Sequence, residues 1–170
     1  VLLKEYNNGW YTGWYVLFQP VEKGVTQIKV DIDQLQLYAL DRIVQVSNVQ
    51  DQPRVRIHPE FRPADYFKNC LGLFRSKSLK AQTIRCRINK DNWMLNYIEK
   101  YPIHTSQEII PENESAVRVQ LNVEIDQEVE NFFLRFAKEI RVLEPESLVE
   151  KIKRGMEKGI ENYKNTSAGN

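Results

Sequence analysis

Aromatic side chains crowd the stretch NNGWYTGWYVLF, residues 7–18, where Trp10-Tyr11 and Trp14-Tyr15 lie four positions apart. Aromatic surface of this kind forms either a hydrophobic core or a platform on which a flat ligand stacks. Aromatic pairs in a strand belong to a core more often than to a site. Aromatics beside Arg and Lys, however, are what small β-barrels use to hold the bases and phosphates of single-stranded nucleic acid. The question is therefore where the cations lie.

The cations are concentrated in one segment of the chain. Residues 54–90 include ten basic and two acidic residues, and the remainder of the chain has 14 basic and 21 acidic residues. A segment near +8 is thus balanced by flanks near −7, which focuses an anionic ligand locally without making the whole protein basic. A basic linker that is simply solvated is the open alternative.

The sequence offers little for catalysis. His58 and His104 are the only histidines, and neither belongs to a metal-binding or nucleophile motif. Cys70 and Cys86 match no CxxC spacing and are expected to be idle, reduced thiols. We therefore expect no enzyme activity, no metal and no cofactor. His104 follows the helix-ending Pro102 and is a candidate for a domain junction, with a purely structural histidine as the alternative.

Strand-like alternation dominates residues 1–50. Asn8-Gly9 is typical of a two-residue type I′ turn, so residues 1–18 are predicted to form a β-hairpin. The stretches VTQIKVDID, LQLYAL and IVQVSNV alternate as well, which gives about five strands. Closure into an all-β small barrel of the Sm-like or SH3-like kind is the predicted fold of this part.

The second half of the chain changes its hydrophobic period. Strands and helices alternate in the order β-α-β-β-α-β plus a final helix, the ferredoxin-like arrangement. Asp126 is a predicted N-cap, and Leu148, Ile152, Met156 and Ile160 are predicted to face inward from the last helix. The predicted organisation is a barrel at 1–50, a basic connector at 51–80, an α+β domain at 81–164 and a frayed tail at 165–170.

Several of these stretches together resemble the WYL-domain family. LKEYNNGWYTGW and YALDRI resemble the WYL domain itself, FRPADYFKNCLGLFR its connector, and YPIHTSQEI and IRVLEPESLVEKI its C-terminal extension. The resemblance implies a cytoplasmic bacterial transcriptional regulator in which an Sm-like WYL barrel senses a ligand. In some members of the family that ligand is single-stranded DNA or another nucleic acid. The resemblance also implies that operator DNA is read by an N-terminal winged helix-turn-helix, which is expected to lie outside the 170 residues of this chain.

The family motif maps onto named positions of this sequence. Trp10 and Tyr11 match the first two residues of Trp-Tyr-Leu, and Arg42 matches the arginine of Leu-Asp-Arg-Ile. Thr12 replaces the motif's Leu, and Ala39 stands where many members carry an arginine, so the sequence departs from the family pattern at positions that bear on the ligand type. The predicted ligand-binding residues are Trp10, Tyr11, Arg42, Arg54, Arg56 and His104.

Two functions follow from these expectations. The chain is predicted to be the ligand-sensing region of a regulator that binds a nucleic acid or a nucleotide-like anion. The alternative is an assembly module that binds no ligand, and a homodimer is expected in either case because helix-turn-helix domains read paired half-sites.

The apolar runs are too short for a membrane span. Because it opens in mid-pattern with VLLKEY, the chain is expected to be part of a longer protein.

Overall fold

A computed structural model describes residues 2–7, 12–21, 30–47, 62–75 and 79–165 of the chain. The chain divides into two compact units, Val1–Lys68 and Asn69–Asn170. Among the helices in the described ranges, none is long and apolar enough to cross a bilayer. Each unit has its own antiparallel sheet, one of three strands and one of four.

The first unit is built on strands in the order β1-β2-β3. The strands are β1 (Leu2–Asn7), β2 (Thr12–Phe18) and β3 (Gln36–Ala39), with 3-10 turns at Ile32–Gln34 and Leu40–Arg42 and a short helix α1 (Pro63–Tyr66). Burial alternates along β1, and β2 reaches full burial at Leu17. One face of this sheet is therefore covered and the other is open.

The hairpin of β1 and β2 is present, with a register different from the predicted one. A two-residue turn at Asn8-Gly9 would pair Asn7 with Trp10, whereas Asn7 pairs with Thr12. Because side chains alternate with a period of two, this shift of two positions leaves every β2 side chain on its predicted face.

Two of the predicted strands differ from the structure. In VTQIKVDID, residues 25–29 lie outside the described residues, and Ile32–Gln34 is a 3-10 turn. The Oδ1 atom of Asp31 accepts a hydrogen bond from the backbone N–H of Asp33 at 2.9 Å, and this local cap replaces strand pairing. In IVQVSNV, residues 43–47 form no strand, and Val44 and Val46 are exposed. The described part of the first unit is thus a three-stranded sheet without barrel closure.

The second unit has the predicted element order. Its strands are β4 (Ala81–Asn89), β5 (Glu108–Pro111), β6 (Ala116–Glu124) and β7 (Arg141–Glu144), and its helices are α2 (Trp93–Lys100), α3 (Gln127–Arg135) and α4 (Glu146–Asn165). The strand order is β5-β6-β4-β7, and all neighbouring strands are antiparallel. Asn92 and Asp126 cap α2 and α3 by accepting backbone N–H groups, so the predicted cap at Asp126 is confirmed.

One face of the four-stranded sheet carries the core. Ile84, Cys86 and Ile88 alternate inward from β4 and form one buried cluster with side chains of all three helices, among them Phe133 and Leu148. From Thr83 onward, the outward-facing residues of β4 are polar or charged. The opposite face of the sheet is consequently open in the described structure.

The residues before β4 also pack within the second unit. Cys70 and Leu73 are buried, and the Oε2 atom of Glu128 accepts hydrogen bonds from the backbone N–H groups of Leu73 and Phe74 at 2.8 and 3.1 Å. A Cβ at Gly72 would lie 2.4 Å from the Glu128 carboxylate oxygens, so any larger residue there would displace this carboxylate. Residues 69–75 fall within the span predicted as a connector.

The last helix is buried only in its first half. Leu148 and Ile152 are buried as predicted, whereas Met156 and Ile160 are exposed, which corrects the prediction for those two residues. A Cβ at Gly155 would lie 2.6 Å from Leu134 of α3, while one at Gly159 would have nothing within 4 Å. Close packing against α3 therefore ends between Gly155 and Gly159, and the rest of α4 projects beyond it.

Candidate functional site

The open face of the first sheet is aromatic. Trp14 on β2 is 50% exposed and Tyr38 on β3 is 49% exposed. Val16 pairs with Tyr38, and Phe18 lies on the same face, its ring centroid 5.1 Å from that of Tyr38. Exposed rings on one sheet face are the arrangement on which flat ligands such as nucleobases stack.

The covered face of the same sheet uses the alternate residues. Tyr15 packs edge-on against Tyr6 of β1 with ring centroids 6.2 Å apart, and Leu17 and Ala39 are buried. The adjacent residues Trp14 and Tyr15 therefore divide between the surface and the core. The stretch therefore contributes one covered face and one exposed aromatic face to the sheet.

Arg42 is the described cation nearest in sequence to this face. It ends the 3-10 turn that directly follows β3, and this turn packs against β2. The pairing of β2 with β3 ends at Tyr15 and Ala39, and Trp14 and Leu40 are the next residues of the two segments. Within the described residues the Arg42 side chain is exposed and makes no hydrogen bond or ion pair. In that part of the chain, its guanidinium group is therefore available to an anion.

Four of the six predicted site residues, Trp10, Tyr11, Arg54 and Arg56, lie outside the described residues. Their part in ligand binding stays a prediction. Sequence reasoning did not include Trp14 and Tyr38 among the site residues. The signal was present for Trp14, because it shares strand parity with Trp10; Tyr38 is found only once the pairing of Val16 with Tyr38 is known.

His104 is held in a loop of the second unit. Its Nδ1 atom accepts the backbone N–H of Ser106 at 3.1 Å and lies 2.8 Å from the Ser106 hydroxyl. That hydroxyl also accepts the N–H of Asn122 on β6 at 2.8 Å. Gln107 closes the loop through hydrogen bonds to the N–H of Ile103 and the carbonyl of Ile98. These contacts give His104 a structural role, and its predicted ligand contact stays a prediction.

Cys70 and Cys86 are buried free thiols with raised pKa values. Burial raises the pKa of Cys86 from 9.0 to about 12, and burial also raises the pKa of Cys70 to about 12, with Glu124 and Asp126 adding to the effect. Both cysteines are free and stay protonated at neutral pH, so neither is a nucleophile. Among the described residues, no three His, Cys, Asp or Glu side chains are grouped to hold a metal ion.

Comparison with known families gives one result for the second unit. A family model described as the WCX domain matches residues 80–159, from the residue before β4 into the projecting half of α4. A comparison with curated proteins gives no match. The C-terminal part of this chain is therefore similar to a domain that is associated with WYL-type regulators.

Proposed function

We propose that this chain is the effector-binding region of a bacterial transcriptional regulator of the WYL type. The observation that carries the proposal is the WCX match, because this domain is associated with such regulators and here follows a segment that resembles the WYL domain. In this proposal the first unit belongs to an Sm-like barrel and the second is ferredoxin-like. The strand order supports the second assignment, since β6 lies between β4 and β5 as in a split β-α-β unit.

The proposed ligand is single-stranded nucleic acid or a nucleotide-like anion. Bases would stack on Trp14 and Tyr38, at roughly 1–3 kcal/mol per base by alanine substitution, while Arg42 would pair with a phosphate. The exposure of both rings and the free guanidinium of Arg42 support this arrangement. The predicted contacts of Trp10, Tyr11, Arg54, Arg56 and His104 are part of the same proposal.

The remaining parts of the proposal concern the whole regulator. The chain itself carries out no reaction and holds no metal or cofactor; it works in the cytoplasm and forms a homodimer. Operator DNA is bound by a separate N-terminal domain, and the dimer places two such domains on paired half-sites.

Short single-stranded DNA titrated onto the protein and followed by fluorescence anisotropy tests the ligand. Binding is expected to weaken with salt, by about 0.7 in log K per decade for each phosphate neutralised. Arg42→Ala should weaken binding and lower this slope, whereas Trp14→Ala or Tyr11→Ala should weaken binding with the slope unchanged. Lys158→Ala, at an exposed position of α4, is the charge-matched control and should bind normally.

The alternative is an assembly module without a ligand. It is favoured by the projecting half of α4, where Met156, Ile160 and Tyr163 are exposed apolar or aromatic residues. If the folded parent protein shows no salt-sensitive binding, or if Arg42→Ala binds normally while its melting temperature is unchanged, the nucleic-acid proposal is wrong and this alternative replaces it.

A further inference from the structure

The open face of the second sheet carries arginines at directly opposed positions. Arg87 on β4 lies opposite Arg118 on β6 and opposite Arg141 on β7. Side chains directly opposite one another on antiparallel strands are close, and like charges there destabilise the sheet. Negative charge beside the three guanidinium groups in this row would therefore stabilise the sheet.

The carboxylates of the protein neutralise only part of this row. Glu112 lies 3.0 Å from both Arg87 and Arg118. Its contact with the buried Nε atom of Arg87 lacks the alignment of a hydrogen bond. In the described ranges, Arg141 has neither an ion pair nor a hydrogen bond from its side chain. The row is thus most positive between Arg87 and Arg141.

A pocket opens at this same place. It has a volume of about 270 Å³ and is lined by Arg87, Asn89 and Arg141 of the sheet and by residues 137–140 of the turn between α3 and β7, which include Lys138 and Glu139. Three cations and one carboxylate line the pocket, a net charge near +2 before the neighbouring Glu112, which lies 3.0 Å from Arg87, is counted. The volume lies below the roughly 300–1,000 Å³ of pockets for drug-sized ligands, so it suits one small charged group.

We propose that this pocket binds a phosphate dianion, either free or as the terminal phosphate of a nucleotide. Arginine presents paired N–H donors that match phosphate oxygens, and Lys138 adds a point charge. The Asn89 side chain supplies a further donor. The bound dianion would neutralise the repulsion between Arg87 and Arg141. This site lies within the second unit and shares no residue with the proposed effector surface, so it stands whether or not Arg42 binds nucleic acid.

The test is a titration of the 170-residue ¹⁵N-labelled protein, followed by NMR. Inorganic phosphate, 5′-AMP and adenosine are the three probes, and sodium chloride at matched ionic strength is the blank. Phosphate and 5′-AMP are expected to shift the amides of residues 87–89 and 137–141, while adenosine and chloride leave them in place. Equal affinity for phosphate and 5′-AMP would identify a free-phosphate site, and tighter binding of 5′-AMP would identify a nucleotide site.

Three variants decide whether the named residues form the site. Arg141→Gln should weaken phosphate binding roughly tenfold or more, as loss of a charge-assisted hydrogen bond does. Glu139→Gln should strengthen binding, because it removes the opposing carboxylate. Arg85→Gln is the matched control: Arg85 lies on the same face but is already paired with Glu144 and Gln120, so phosphate binding should not change.

The outcomes separate binding from a purely structural role. In the absence of phosphate, Arg141→Gln should melt no lower than the parent, because the substitution relieves repulsion with Arg87. The proposal is wrong if phosphate shifts no amide at residues 87–89 and 137–141, if chloride or adenosine reproduces the shifts, or if Arg141→Gln binds like the parent.

Discussion

At the scale of single residues, the thiol of Cys86 couples protonation to folding. Its side chain is fully buried on β4, with Sγ 3.6 Å from the Val119 carbonyl oxygen, and burial raises its pKa to about 12. In the unfolded chain the thiol loses its proton from about pH 9.0 upward, so between these values the unfolded state binds fewer protons. The stability contributed by this group is therefore present below pH 9 and falls as pH rises.

We predict that the free energy of unfolding falls less steeply with pH in Cys86→Ala than in the parent. The difference in slope should approach about 1.4 kcal/mol per pH unit between pH 9 and 12. Urea denaturation at pH 8, 9, 10 and 11 measures it. Below pH 9 the alanine variant should be less stable than the parent because of the cavity, but only the slope reports ionisation. Equal slopes for the two proteins would contradict the prediction.

For the aromatic residues of β2, the sequence predicts which side chains share a face, but not which face is exposed. Alternation places Trp14 and Tyr15 on opposite faces of β2, and this is what the structure shows. Which of the two faces is covered depends on the packing of Tyr6 and Leu17, and both faces of β2 are apolar in sequence. For that reason Trp14 was not predicted as a surface residue, although its position on the strand was.

At the scale of elements, the sequence predicted helices and strands correctly where a local signal, such as a capping residue, agreed with the hydrophobic pattern. α3 was predicted together with its cap because Asp126 precedes a clear helical stripe, and its carboxylate accepts the N–H of Val129 at 3.0 Å. Around Ile32 the alternating pattern was wrong, because Asp31 uses its carboxylate as a local cap and not as an outward strand side chain. Alternation at Val44 and Val46 likewise has no partner strand in the described part of the chain.

Helix α4 allows two matched substitutions on one apolar stripe. Ile152 is 6% exposed and Ile160 is 56% exposed. We predict that Ile152→Ala lowers the free energy of unfolding by about 2–5 kcal/mol, since it leaves a cavity in the core. Ile160→Ala should change it by no more than about 0.5 kcal/mol, as is usual for surface positions. Chemical denaturation of the two variants provides the measurement.

The same two substitutions in α4 also test the assembly alternative. Sedimentation of the parent at tens of micromolar is expected to show a dimer, and if α4 forms the dimer contact, Ile160→Ala should shift the equilibrium toward monomer. An Ile160→Ala protein that is as destabilised as Ile152→Ala at all concentrations would contradict the exposure of this half of α4. A parent that sediments as a monomer would contradict the homodimer.

At the scale of the whole molecule, the two units differ in how much apolar surface they bury. The main core cluster runs from Ile84 to Ile152 and lies entirely in the second unit. In the described part of the first unit, Leu17 and Ala39 are the buried apolar residues. Hydrophobic burial is the dominant favourable term in folding, so most of the stability of the described chain resides after Lys68.

We therefore predict that residues 69–170 fold alone. The fragment keeps the loop at residues 69–75, whose N–H groups bind Glu128, as well as the whole four-stranded sheet with its helices. Scanning calorimetry should show one cooperative transition with an unfolding enthalpy of about 60–80 kcal/mol, as expected for about 100 residues, and a calorimetric enthalpy equal to the van't Hoff value.

A fragment that starts at Ala81 is the matched comparison, because it deletes Cys70 and Leu73 from the core and leaves Glu128 without its backbone donors. This shorter fragment should melt at a lower temperature. A fragment of residues 69–170 that unfolds without a cooperative transition would show that the second unit depends on the first for its stability.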